Sequence, residues 1–164
     1  MAEEKLQCSV SIASTFFGEP WSMLILREFM IFGGTRRFEQ LYSALGVSRN
    51  VLTKRLRRLI ELDLIKKSPI SENSRRMEYK LRRKGWELLP VMLALHQWSE
   101  RWIEEQHKSH VDYLDIYEGK PLAKISVRSA SGKILGPPDI RVVSKTPAAK
   151  NYFEEYQTRN NKKD

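Results

Sequence analysis

The sequence predicts a mainly α-helical fold with a small amount of β structure. Three observations point there. Stretches over 9–17, 20–32, 38–45 and 49–62 set apolar residues at helical spacing, with glycines between several of them. Residues 77–81 alternate apolar and polar, the period of a half-buried strand. After His110 the helical period gives way to short apolar runs between Gly- and Pro-containing turns. The chain has 164 residues, 41% of them hydrophobic, which suffices for one domain's core. One cysteine excludes an internal disulfide framework and a Cys-based zinc site within one chain, and fits a reducing cytosol. The opening MAEEKLQC has acids and no apolar run, so no signal peptide is expected. Arg27 and Glu28 interrupt the apolar stretch 21–32, so no membrane span is expected.

Each element has its own local reason. Val10, Ala13, Phe16 and Phe17 share one side of a first helix, which Gly18 stops. Pro20 suits the first turn of the next helix, because its missing N–H would be unpaired there anyway. That helix is apolar on most sides, hence central, and Gly33-Gly34 ends it. Phe38, Leu41, Ala44 and Leu45 form the buried stripe of a third helix, with Gly46 as its left-handed terminator. Ser48 is the expected N-cap of a fourth, running from 49 to 62. Its Leu52, Leu56, Leu59 and Ile60 make the inward stripe; Asn50, Lys54, Arg57 and Arg58 lie opposite. Two helices about a tight Gly-containing turn, the second with a basic outer face, are the sequence form of a helix-turn-helix. Strands over 64–70 and 77–81 around a polar loop add a wing that carries Arg75 and Arg76. A long helix is expected over 83–107, with Pro90 either kinking it or marking its true start. Three short strands are expected at 113–117, 123–127 and 140–143, then a short helix from Thr146-Pro147 and a polar tail. The expected domains are 1–109, 110–145 and 146–164.

The net charge is +9, and the segment 36–84 alone carries +10. A basic block in an otherwise neutral chain suggests a polyanion partner, although a solvated basic face gives the same number. Combined with the helix-turn-helix pattern, the charge points to double-stranded DNA. Lys and Arg neutralise phosphates, and polar groups near the start of the recognition helix reach base edges. Arg49, Asn50 and Lys54 are the candidates for base edges, with Ser48 at the same end. Thr53 is a weaker candidate, since its side faces partly toward the core edge. Arg57, Arg58, Arg36 and Arg37 are candidates for phosphate, and Arg75 and Arg76 for the adjacent minor groove or backbone. Trp86, Trp98 and Trp102 read as core or dimer packing rather than a ligand box. Glu104, His107 and His110 recur at i+3, but no carboxylate–His support accompanies them, and neither a metal nor a cofactor is expected.

With these blocks in order, the chain resembles the HxlR-type winged helix-turn-helix transcription regulators of bacteria. The resemblance covers about 8–102 and rests on Cys8, Trp21 to Glu28, Arg36 to Leu41, Val51 to Leu59, Glu78 to Leu81, Gly85, and Leu88 to Val91. It implies a homodimer, through the first helix and the long helix, on a pseudo-palindromic operator. It implies a repressor more often than an activator, in the cytoplasm at the nucleoid. A small molecule or an oxidant is the implied kind of effector. Two departures stand out. Gly18-Glu19-Pro20 replaces the usual glycine pair, and the cysteine pairs of longer relatives are missing after the long helix. The segment 110–145 therefore reads as a metal-free counterpart of their zinc-ribbon-like module. In some relatives the cysteine at the Cys8 position is a redox switch. A helix N-terminus would favour its thiolate, and a quiet buried thiol is the competing reading.

Enzyme function finds no support: GxGxxG, P-loop and HExxH motifs are absent, and all three histidines fall between 96 and 110. The remaining alternative is a winged-helix module that binds nucleic acid non-specifically or binds protein. A purely protein-binding face would more often be apolar on the recognition helix.

Overall fold

The structure, a computed structural model, describes residues 9–103, 111–147 and 149–151. Cys8, Glu104, His107, His110, the expected end of the long helix and most of the C-terminal tail lie outside the described residues. The chain divides into two compact units, one of residues 13–125 and one of residues 1–12 with 126–164.

Helices α1 (Ser9–Phe17), α2 (Pro20–Ile31), α3 (Phe38–Leu45) and α4 (Arg49–Glu61) fall where helical spacing placed them. Val10 is an exception to the pattern: it is 76% exposed, although its spacing puts it on the apolar side of α1. Three short antiparallel strands follow the order β1-β3-β2, from β1 (Thr35–Arg36), β2 (Ile65–Pro69) and β3 (Met77–Leu81). The wing hairpin pairs Ile65 with Leu81 and Pro69 with Met77. The two-residue β1, which the sequence did not announce, pairs Thr35 with Lys80 and Arg36 with Tyr79.

The core sits where these elements meet. Ile25, Leu26 and Phe29 of α2 join Leu41 of α3 and Leu52, Leu56 and Leu59 of α4. Leu64, Ile65, Tyr79 and Leu81 close it from the sheet side. Ile60, read as inward, is 37% exposed, because it lies at the edge of the α4 stripe. Past α4, Asp63 takes φ 61. The Asp63 N–H bonds the Ile60 carbonyl at 2.9 Å and the Leu64 N–H bonds the Leu59 carbonyl at 3.0 Å. This left-handed cap reverses the chain into β2 and satisfies carbonyls the helix leaves open. Lys84 Nζ adds a 2.8 Å bond to the Leu62 carbonyl at the same end.

The long helix is two helices. α5 (Arg83–Trp86) stops and α6 (Leu89–Trp102) begins with Pro90 in its first turn. A continuous helix would need an N–H at Pro90 and would press the ring onto the carbonyl of residue 86. Gly34, at φ +83, lies under this junction: a Cβ there would come within 2.7 Å of the Trp86 ring.

The three strands expected beyond residue 110 do not form. Among the described residues there are only isolated bridges, Leu114 with Pro121 and Arg128 with Ile134. Within the first unit, Gln97 of α6 holds the 123–125 backbone: its amide donates to the Ala123 carbonyl at 3.0 Å and accepts from the Ile125 N–H at 2.7 Å. Asp115 shapes the preceding turn, accepting from the Tyr117 N–H at 2.7 Å. In the second unit, Pro137–Asp139 is a 3-10 turn. The reason for the missing strands is packing. A strand needs a ladder and a face to bury, yet Ile116, Tyr117 and Val142 are 87%, 91% and 75% exposed. The short helix after Thr146 does begin, with Thr146 Oγ1 accepting from the Ala149 N–H at 3.2 Å.

Candidate nucleic-acid interface

α4 is positioned by its inward leucines, all about 1% exposed or less. At about 100° per residue, Asn50, Lys54 and Arg57 then project from the opposite side. All three are exposed. The helix starts cleanly because Ser48 is extended and its hydroxyl accepts from the Val51 N–H at 3.4 Å. Ser48 therefore serves as the cap of α4, at the same end as Arg49 and Asn50. Thr53 is exposed, not turned toward the core edge as its place on the helix suggested. Lys54 has no hydrogen-bond or ion-pair partner among the described residues, whereas Arg57 and Arg58 share Glu61 at 3.2 and 3.3 Å. Lys54, Arg57 and Arg58 are brought together along one cleft, which Glu19 and Glu61 also line.

The first residue of α4 behaves differently. Arg49 Nη1 and Nη2 each lie 2.9 Å from an oxygen of Glu39, a bidentate pair across the turn of the motif. Its guanidinium also lies over the Tyr42 ring at 4.6 Å. The hydrogen bond and charge of Glu39 raise the Arg49 guanidinium above its ordinary value. Sequence reasoning missed Glu39. A pair ten positions apart across a turn leaves no periodic trace.

Arg36 departs from the phosphate role that its place in the sequence suggests. Its side chain is only 11% exposed and bonds the buried Glu28 at 2.7 Å, stacked over Phe32 at 3.8 Å. β1 turns it toward α2, so it is committed inside the protein and not to a phosphate. Arg37, next in the chain, is exposed at the start of α3, where its backbone N–H donates to Gln40 Oε1 at 2.8 Å. Arg75 and Arg76 are exposed on the wing loop, closed by the Ile70 N–H on the Arg76 carbonyl at 3.0 Å. Arg55, in the middle of the basic run, is an inward member: it pairs with Glu19 and is 18% exposed. Lys66 and Lys67 on β2 are exposed cations that the sequence reading did not select. Among the described residues, no group of three or more His, Cys, Asp or Glu could hold a metal. No helix among them is long and apolar enough to cross a membrane.

Residues 16–107, more than half of the chain, match the HxlR-like helix-turn-helix family. The chain belongs to that family. HxlR-like proteins are DNA-binding transcription regulators and not a class of enzymes. An uncharacterized HTH-type transcriptional regulator of Mycobacterium tuberculosis is 42% identical over 95 residues, 58% of this chain and 59% of its own length. The chain thus spans about three-fifths of the mycobacterial relative. A similar regulator of Synechocystis is 37% identical over 100 residues, 60% of this chain and 73% of its own. Among solved structures, PA1607, a candidate transcription factor, shares 33% identity at a TM-score of 0.76 and covers 89% of this chain and all of its own. The mainly helical winged fold of this chain, and its membership of a family of DNA-binding transcription regulators, are thereby established.

Proposed function

We propose that this HxlR-like protein is a sequence-specific regulator, acting as a repressor, that binds a pseudo-palindromic operator as a homodimer in the cytoplasm. The observation that carries the reading is the outward face of α4. Asn50, Thr53 and Lys54 are exposed there, opposite a stripe of buried leucines. In the major groove, Asn suits adenine and Lys or Arg suits guanine. Asn50, Lys54, Thr53 and Arg49 are the base-reading set, with Ser48 beside them. Arg37, Arg57 and Arg58 meet phosphates. Arg75 and Arg76 reach the minor groove or backbone from the wing. Residues 1–109 carry DNA binding and dimerisation, 110–145 form a small accessory module and 146–164 a short helix and tail, and the protein answers to a small-molecule or oxidant effector.

The test is fluorescence anisotropy on the duplex upstream of the protein's own gene, against a scrambled duplex, from 50 to 200 mM salt. A dimer with roughly 8 phosphate contacts loses about 10³–10⁵ in affinity over that range. Preference for the native duplex, lost in Lys54→Ala, supports the reading. Equal binding to both duplexes, also after selection from genomic fragments, points instead to a non-specific nucleic-acid module.

A further inference from the structure

Within the basic face, only one cation is held by both oxygens of a single carboxylate: among the described residues that is Arg49, on Glu39 at 2.9 Å twice. The pair is exposed, 58% for the arginine side chain and 67% for the glutamate. It is also framed. Phe38 and Tyr42 stack at 6.5 Å with their planes 12° apart, and the guanidinium lies over both rings, at 5.5 and 4.6 Å. Glu39, Phe38 and Tyr42 all come from α3, so α3 holds the head of α4 through this one side chain.

The chemistry of that grip matters for DNA. The edge of guanidinium bearing Nη1 and Nη2 is the edge that also fits two phosphate oxygens or guanine O6 and N7. It cannot serve Glu39 and DNA together. An exposed pair is weak enough to be displaced, at a cost of about two- to fivefold in binding. We propose that Glu39 is a specificity-determining residue that competes with DNA for the forked edge of Arg49. This inference rests on the regulator reading above. On a duplex with no matching acceptors, Arg49 stays on Glu39 and contributes no phosphate contact. On the operator, paired base acceptors replace the carboxylate and Arg49 joins the readout. Glu39 acts through Arg49 and is thus a positioning residue.

Glu39→Gln tests this in the full chain, with circular dichroism to verify folding. The variant keeps the side-chain shape and removes the charge. Affinity for the scrambled duplex is expected to rise about fivefold and by less for the operator, so discrimination narrows. The log–log salt slope on the scrambled duplex should steepen by about 0.9, one freed phosphate contact. In the Arg49→Ala background the same glutamine change should have no effect on slope. Unchanged affinity and slope in Glu39→Gln overturn the proposal. So does a rise that persists without Arg49, because Glu39 would then act by plain charge repulsion. A wild type that binds both duplexes alike overturns sequence-specific regulation while the slope comparison still decides the Glu39 role. A wild type that binds neither overturns both.

Discussion

Glu28 is buried at 5% exposure, and two guanidiniums meet it: Arg27 at 3.0 Å and Arg36 at 2.7 Å. A carboxylate removed from water is tolerated only when such partners replace its hydration. Taking away Arg36 leaves Glu28 with one partner near the protein surface. Arg36→Met should therefore cost roughly 3 kcal/mol, the lower end for breaking a buried pair, read by urea denaturation. It should leave the salt slope of DNA binding unchanged; a slope lower by about 0.9 would return Arg36 to the phosphate set. Arg37→Ala should behave in the opposite way, flattening the slope with stability altered by less than about 0.5 kcal/mol. The sequence shows two adjacent arginines with no local difference between them. β1 separates their roles by turning one inward. Tyr79 carries a pH prediction. Burial raises its phenol above the ordinary value of 10.0, because the charged form is disfavoured inside. Its contribution to stability is fully present below pH 10 and declines as pH rises from there through the folded-state value. Urea midpoints from pH 8 to 11 should fall less for Tyr79→Phe than for the wild type; parallel curves would remove Tyr79 as a cause.

At the scale of elements, a helix was legible wherever its own residues could specify it. Apolar spacing, Ser48 as cap and Gly46 at φ 63 are local signals, and α1 to α4 follow them. Pro90 likewise announced a break, and the break is there. Beyond residue 110 the apolar runs that predict strands find no ladder, while β1 is too short to leave a pattern. The Gly34 junction joins two elements that the sequence keeps 52 positions apart. Gly34→Ala faces both a left-handed backbone and a Trp86 ring 2.7 Å from the new methyl. It should destabilise by about 2 kcal/mol or more, adding roughly 1–2 for the backbone to an overpacking cost. Trp86→Leu in the same chain should recover only the steric part. Full recovery would show that the backbone conformation is not strained.

At the scale of the whole molecule, Val91, Leu95, Trp98 and Trp102 of α6 recur on one helical face and are 46%, 49%, 56% and 63% exposed. Trp98 and Trp102 are therefore not core residues of a single chain. An apolar stripe of this kind is normally covered in solution, and we expect a second copy to cover it, with α1 alongside. Light scattering after size exclusion should give about twice the 19.2 kDa chain mass. Trp98→Glu with Trp102→Glu should shift it toward one chain and weaken operator binding, since half-sites bind together only through a dimer. A double variant that keeps the dimer mass would move the interface off α6.

What the sequence determined by itself is local and periodic: four helices, the wing hairpin, the basic outer face of α4, and the family to which these blocks belong. Each depends on residues a few positions apart, where backbone geometry dictates the spacing. Only the tertiary structure decided which cations are free. Arg36 went to Glu28, Arg55 to Glu19 and Arg49 to Glu39, while Lys54 stayed unpaired among the described residues. A charge has no periodicity to betray its partner. Coulombic pairing depends on distance in space, and that distance is set by how the helices pack.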